Sequence, residues 1–414
     1  MAEALKEGTT SRSGAQLATA VQEAGGDLTT VAGPDALTLA ASGLAAKSAL
    51  LFDLVADAAR NASFPGEGVA RVKSLALERL ETDESEPSFV AARAFAKSIF
   101  GSHPYGVIAP TPAAIEGVTH GRLLEESRRR LRPERSLLLV VGDVGTAAVR
   151  SEAERLFGGW SGSGAAPAQV PEAVPPGDGR TIDVVDRPGS VQTFFLAGTA
   201  GPLRTSGDAH PLELAMAIYG STFTSRLVQN LREEKGYTYS PGAGVQWLAA
   251  RGTVRTRATV RNEVTGAALN EILYEMGRMS TTEPTEEEME RARRVLAGLK
   301  AIALETGPGL ADELARLWIL GLPPSEIGRT VESLAAVTKA DVRRVSGIYL
   351  GTGRLRIVAV GDGAIVREEL DSFEVGNWRS AATMLAGGLA SRAPGPPGFS
   401  QAGAALTMRT RQSW

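Results

Sequence analysis

The chain has 414 residues, a net charge of -3 and no cysteine. Its length exceeds what one hydrophobic core normally serves, so more than one domain is expected, and the lack of cysteine excludes disulfides, thiolate metal sites and cysteine nucleophiles. With a pI near 5.9, no global basic field would recruit nucleic acid or an anionic membrane surface, and no apolar run approaches the length of a membrane span.

The opening "MAEALKEGTTSRS" has neither the basic flank nor the apolar core of a signal peptide. The expected compartment is the cytoplasm by default, or the periplasm if the N-terminus is truncated. Ser13 reads as the N-cap of an amphipathic helix with Leu17 and Val21 inward, closed by Gly25 and Gly26. A strand "ALTLAAS" and a buried helix "SALLFDLVADAARN" follow, then helices over 68–82 and 87–100 before "GSHPYG". Thr119 caps the helix leading to strand "LLLVVGD". Arg128, Arg129, Arg130, Arg132 and Arg135 lie on that helix and the turn after it; without interleaved aromatics they read as a solvated face. Residues 159–180 have the composition of an extended linker. Beyond it come strands "TIDVVD" and "VQTFFLAG", helices over 210–219 and 225–235, and strands within "YTYSPGAGVQ" and "GTVRTRATV". Residues after about 378 are rich in Gly, Pro, Ala and Ser and are expected to form a poorly ordered tail.

The second half repeats the first at an offset of 219. "VTHGRLLEESRRRLRPERSLLLVVGD" (118–143) lies over "VTKADVRRVSGIYLGTGRLRIVAVGD" (337–362), and the same shift carries Pro65 to Pro284, Leu77 to Leu296 and Pro104 to Pro323. A period this long is two copies of a domain, not a solenoid. The expectation is an α+β fold of two homologous domains, 1–158 and 181–377, joined by the linker 159–180 and followed by a disordered tail, 378–414. Each domain would be a mostly antiparallel sheet covered by helices, the two forming half of a clamshell chamber.

Chemistry-bearing motifs are sparse. "VVGDVG" and "VAVGDG" put glycines between a strand and a helix, but their occurrence in both halves favours a repeated corner over a phosphate loop. The three histidines, His103, His120 and His210, lack zinc-helix spacing and sit at turns or helix starts. No G-x-S-x-G elbow presents a serine, and the carboxylates of "LERLETDESE" form an exposed run without an evident partner. In "SRLVQNLREEKGYTYS", Arg232 falls late in a helix, Gly236 ends it and Tyr239 enters the next strand. Such a pair reads either as a surface arginine and a half-buried strand tyrosine, or as a clamp on a carbonyl oxygen.

The stretches "EGTTSRSGAQLATAVQEAGGDL", "GSHPYG", the two "VGD" strand ends and "TSRLVQNLREEKGYTYSPGA" resemble the insulinase/pitrilysin family of zinc peptidases, in its processing-peptidase-like branch. The last resembles the second-domain signature in which an arginine and a tyrosine contact substrate, and Arg232 and Tyr239 match it. The zinc site does not carry over. The second histidine of the inverted H-x-x-E-H motif falls on Glu3, the catalytic glutamate on Ala2 and the distal glutamate ligand on Arg79, a cation that would repel zinc. The family's opening strands are absent before Met1, the glycine-rich loop of the mitochondrial non-catalytic subunit is absent from "GSTFTSRL", and the tail after Trp378 matches nothing in the family.

The resemblance implies a zinc-free, substrate-binding subunit of a heterodimeric metallopeptidase, inactive alone, with no cofactor of its own. Zinc is expected on an H-x-x-E-H-bearing partner subunit, and Arg232 and Tyr239 would assist in trans on an unfolded peptide. A structural or peptide-binding scaffold is the alternative, and an autonomous metallopeptidase a third.

Overall fold

The computed structural model describes residues 1–162, 164–373 and 378–380, together with the main chain of 404–411. Helix α1 (Gly14–Glu23) opens in a capping box: the Ser13 side chain accepts the Gln16 N–H while the Gln16 side chain accepts the Ser13 N–H. Leu17 and Val21 are buried, and Gly25 (φ +64°) turns the chain. Only glycine fits at position 26, where a Cβ would stand 1.7 Å from the Ser42 carbonyl oxygen. That contact seats the helix end on the hairpin of β1 (Asp27–Ala32) and β2 (Ala36–Gly43). Then come α2 (Ser48–Arg60), α3 (Gly66–Ser85), α4 (Pro87–Phe100), the short α5 (Pro112–Glu116), α6 (His120–Arg130), β3 (Ser136–Val141) and α7 (Thr146–Phe157). Thr119 caps α6 by accepting the Arg122 N–H. At the other end Arg129 and Arg130 pair with Glu126, and Arg132 with Glu134, so much of the basic stretch is internally neutralised.

Residues 165–180 carry neither helix nor strand and are docked: Ala173 is buried and donates to the Ala250 carbonyl at 3.3 Å. Next are β4 (Thr181–Asp186), β5 (Gln192–Ala200), α8 (Ala209–Met216), α9 (Arg226–Val228), β6 (Gly242–Gln246), β7 (Thr253–Arg261), α10 (Thr265–Thr281), α11 (Glu286–Leu304), α12 (Gly307–Ile319), α13 (Glu326–Ala336), α14 (Lys339–Tyr349), β8 (Arg356–Gly361), α15 (Gly363–Ser372), β9 (Trp378–Ser380) and β10 (Ala404–Arg411).

The strands form two sheets, β1-β2-β10-β3 and β6-β7-β5-β8-β4-β9, mostly antiparallel, with β4 parallel to both β8 and β9. The fold is therefore α+β. Shifted by 219, the bounds of α6 coincide with those of α14, and α3, α4 and β3 fall within a residue of α11, α12 and β8. In the second sheet β5 runs antiparallel between β7 and β8; in the first, β10 runs antiparallel between β2 and β3. The disordered tail expected after residue 378 is corrected on two counts. Strand β9 pairs with β4 and is pinned by Arg379, which donates to both Asp183 oxygens at 2.8 and 3.0 Å. The segment 404–411 is a central strand, since β2 and β3 would otherwise each leave a row of main-chain groups unpaired. Residues 381–403 lie outside the described residues.

The two sheets exchange helices. Helix α4, from the first half of the chain, packs on β5 and β8, burying Val90, Phe95, Ile99 and Phe100 against Leu196, Val358 and Val360. Helix α12, from the second half, packs on β3 and β10. The opposite face of the second sheet is filled by Phe195, Val254, Ala258 and Val260 against α8, α10 and α14. Tyr105 of "GSHPYG" joins the halves: its hydroxyl donates to Asp35 and accepts the Ala250 N–H at 3.0 Å, while Asp35 accepts the Ala249 N–H at 3.0 Å. Burial pushes the Asp35 carboxyl up from its usual range despite these bonds.

Near the N-terminus, buried Asp57 accepts from Thr9 (2.8 Å), Ser11 (2.7 Å) and Arg12 (2.7 Å) on one oxygen and from Asn61 (3.0 Å) on the other. Burial pushes its pKa up, but these four bonds outweigh it and leave the carboxyl below its ordinary value. A lowered carboxyl stabilises the fold above its unfolded pKa of about 3.9 and loses that contribution as pH falls through the lower folded value. Asp57→Asn should therefore cost about 1–3 kcal/mol at pH 7, and in denaturant unfolding the deficit should shrink below pH 4. A deficit of equal size at pH 3 would mean that the carboxylate charge is not its source. Deleting residues 404–414 should lower the melting temperature and expose β2 and β3 to aggregation, as followed by thermal unfolding and light scattering.

Candidate functional site

Arg232 and Tyr239, the pair singled out by sequence, meet in space. The helix expected over 225–235 is one turn of α helix, α9, followed by a π-helical segment, Gln229–Glu234, in which the Lys235 N–H reaches the Asn230 carbonyl at 3.0 Å, five residues back. A π segment adds about one residue per turn and so re-aims the side chains beyond it. What holds it wide is the buried face: Leu231 is fully buried, and the Asn230 amide donates to Glu271 and to buried Glu275 on α10, both at 2.9 Å. Arg226 anchors the start by a bidentate pair to Glu288 on α11 at 2.7 and 2.8 Å. That bond raises the arginine pKa; Glu288, which burial pushes up, is held low by the same pair.

Gly236 (φ +63°) then reverses the chain, as the sequence predicts. Tyr239 does not enter a strand: β6 begins only at Gly242, after Pro241, which has no N–H to offer a ladder. Tyr239 therefore stands in the loop with 80% of its surface exposed. The helix expected over 210–219 likewise ends in a π segment, Ala217–Ser221, which delivers Phe223, 64% exposed. The Arg232 guanidinium lies between the two rings, 4.6 Å from the Phe223 centroid and 4.5 Å from that of Tyr239. Among the described residues its one ionic neighbour is Glu233 at 3.2 Å. A guanidinium sandwiched by rings keeps its in-plane N–H donors directed outward and its orientation fixed. Phe223 was not identified from sequence, because its role depends on a contact through space; "GSTFTSRL" contained the signal only as an aromatic in a polar loop.

The sandwich stands at a groove of about 640 Å³. Its walls are Ser88 and Ala92 of α4, Phe194 and Leu196 of β5, residues 240–246, and Arg255 and Arg257 of β7. β6, beside it, is the end strand of its sheet. A second groove, lined by β1, β2 and α12, shares Gln246 with the first.

The positions where zinc ligands would fall lie elsewhere. Ala2 is buried and has no donor atom; Glu3 is half exposed and faces Lys6 at 3.8 Å; Arg79 is exposed on α3, 3.9 Å from Asp83. An alanine and a guanidinium cannot ligate zinc, so these residues do not fit the ion. Among the described residues no group of three His, Cys, Asp or Glu side chains could hold a metal. His103 and His120 contact the carbonyls of Pro171 (3.1 Å) and Ser63 (3.0 Å), and His210 sits between Glu213 (3.2 Å) and Glu326 (3.0 Å). No described helix is long and apolar enough to cross a membrane.

Known proteins share the sequence pattern and the fold of this chain. Residues 117–296, which include Arg232 and Tyr239, match the family described as the peptidase M16 inactive domain. The chain resembles M16, insulinase-type peptidases. It is 24% identical over 348 residues to an uncharacterized zinc protease of Mycobacterium tuberculosis, covering 83% of this chain and 78% of that one. It is also 24% identical over 353 residues to one of Streptomyces coelicolor, covering 84% and 76%. Among solved structures it resembles a peptidase M16 inactive domain from Pseudomonas fluorescens (TM-score 0.76, 21% identity, 87% of each chain) and a protease from Helicobacter pylori (TM-score 0.78, 16% identity, 87% of each).

Phe223→Ala removes one slab of the sandwich. Because the ring is exposed, stability should change by less than about 1 kcal/mol, while the heteronuclear NOE of the Arg232 Nε–H should fall towards values of a flexible side chain. An unchanged NOE would show that Tyr239 and Glu233 suffice to hold the guanidinium.

Proposed function

We propose that this M16-like chain is the substrate-contacting, non-catalytic subunit of a two-subunit zinc peptidase, acting on extended peptides. The observation that carries the reading is Arg232 held between Phe223 and Tyr239 at a groove beside an end strand, in a chain whose zinc-ligand positions are Ala2, Glu3 and Arg79. The zinc, which activates water for peptide hydrolysis, belongs in this reading to a partner bearing H-x-x-E-H.

The roles of this chain follow from its own groups. An unfolded peptide would pair with the free edge of β6, a mode that reads main chain more than side chains. The fixed guanidinium of Arg232 and the exposed Tyr239 hydroxyl would donate to the scissile carbonyl and to the charge that develops on its oxygen. Donors fixed before the reaction need no reorganisation as that charge appears. The coincidence of elements at an offset of 219, and the reciprocal seating of α4 and α12, support reading the chain as two copies of one domain, 1–158 and 181–377, facing each other as half of a chamber.

In the assembled complex, Arg232→Ala and Tyr239→Phe should each lower kcat/KM by about 10²- to 10³-fold without weakening subunit association, measured by peptide turnover alongside analytical ultracentrifugation. Parental turnover in both variants would overturn the assisting role and leave a peptide-binding scaffold.

A further inference from the structure

The groove beside the sandwich has a charge pattern that recognition of main chain alone does not need. Arg232, Arg255 and Arg257 line it, and among the described residues no aspartate or glutamate does. Arg255 is half-buried, its Cζ 5.6 Å from the Phe95 ring centre, and its hydrogen-bond partners are neutral: Thr253 Oγ1 at 2.7 Å and the Gln246 side-chain oxygen. Burial without a counter-charge drags its pKa down to about 10. Arg257 is exposed one side chain further along the same face, and neither arginine forms an ion pair among the described residues. Successive same-face side chains on a strand are about 7 Å apart, within the reach of a single carboxylate between two flexible guanidinium groups.

The space above these arginines is open. Their cross-strand neighbours on β6 are Gly244 and Gly242. A Cβ at Gly244 would meet only Ser221 Oγ, at 4.0 Å, and one at Gly242 only Arg257 Nε, at 3.5 Å. The molecule also supplies an internal control. At the offset of 219, Arg255 and Arg257 correspond to Ala36 and Thr38, which line the neighbouring groove with Asp27, Asp35, Asp312 and, as the single cation among the described residues, Arg316. The two grooves share Gln246 but carry opposite charge.

We infer that Arg255 and Arg257 form a carboxylate-binding subsite, which selects extended peptides carrying an acidic side chain or a C-terminal carboxylate beside the bond held by Arg232. This rests on the peptide-binding reading above and adds the substrate class to it. A carboxylate there would neutralise Arg255, and a bidentate guanidinium bond is among the strongest that a side chain makes.

The test is isothermal titration of the full chain with short unstructured peptides of Gly, Ser and Val. One carries a central Glu and an amidated C-terminus, a second is its Gln counterpart, and a third is the Gln peptide with a free C-terminal carboxylate. The Glu or the free-carboxylate peptide should bind at least about tenfold more tightly than the neutral one, and which of them does so identifies the source of the carboxylate. The preference should weaken with salt and collapse in Arg257→Gln, whose exposed side chain makes misfolding no concern, and in Arg255→Met. It should persist in Tyr239→Phe. Equal affinity for all three peptides overturns the subsite while leaving peptide binding intact. Binding of none overturns the peptide-binding reading and the subsite with it.

Discussion

The exchange of α4 and α12 between the two sheets is the constraint from which the rest of the arrangement follows. A sheet with two apolar faces must cover both, and here one cover comes from the other half of the chain. Each fully buried Phe, Ile or Val side chain of α4 contributes about 1.5–3 kcal/mol, and the helix can settle close because Gly198 puts no side chain between Phe95 and the strand. A helix centred over β5 and β8 reaches β7 where Phe95 meets Arg255, and leaves a groove along β6 and β7 on that face. The groove is this remainder, and Arg255 and Arg257 of β7 face it because the even-numbered residues Val254, Ala258 and Val260 are committed to the core on the other side.

Within the groove, polar groups are held by apolar and neutral ones. Arg232 is positioned by ring faces with Glu233 beside it at 3.2 Å, and Arg255 by a ring, an amide and a hydroxyl, so the charge of Arg255 is oriented without an internal carboxylate. The carboxylates near this region work further back: Glu271, Glu275 and Glu288 hold the π-helical segment and its lead-in to α10 and α11. Charge that fixes the backbone is thus separated from charge left available at the surface.

Much of this was legible in the sequence, for definite reasons. Ser13, Thr119 and Gly236 mark helix ends because caps are local chemistry decided within a few residues. The offset of 219 could be read because it carries the bounds of long elements such as α3 and α6 onto those of α11 and α14 within a residue. The family resemblance brought Arg232 and Tyr239 forward together. What stayed hidden depends on contacts distant in sequence. The π turn at 229–234 depends on Asn230 finding Glu271 and Glu275 some forty residues later, and Phe223 acquires a role only beside Arg232. The alternating arginines of "VRTRATV" were in plain view, but no pattern within one strand says which face meets a groove. The tail failed for a similar reason: composition argued for disorder, while the pairing that orders 404–411 lies with β2 and β3.

The same strand sets a schedule. Thr38 pairs with Arg409 and Leu139 with Thr407, contacts between residues separated by most of the chain. Because loop-closure entropy grows only logarithmically, such a separation adds little to the equilibrium cost, but contacts this remote form late. During synthesis β1, β2 and β3 leave the ribosome with an open gap between them, whereas β5 is already available when β7 and β8 emerge. The second sheet can close as it is made. The first cannot close until residues 404–411 arrive, and until then β2 and β3 keep open the edges that β10 covers in the finished fold.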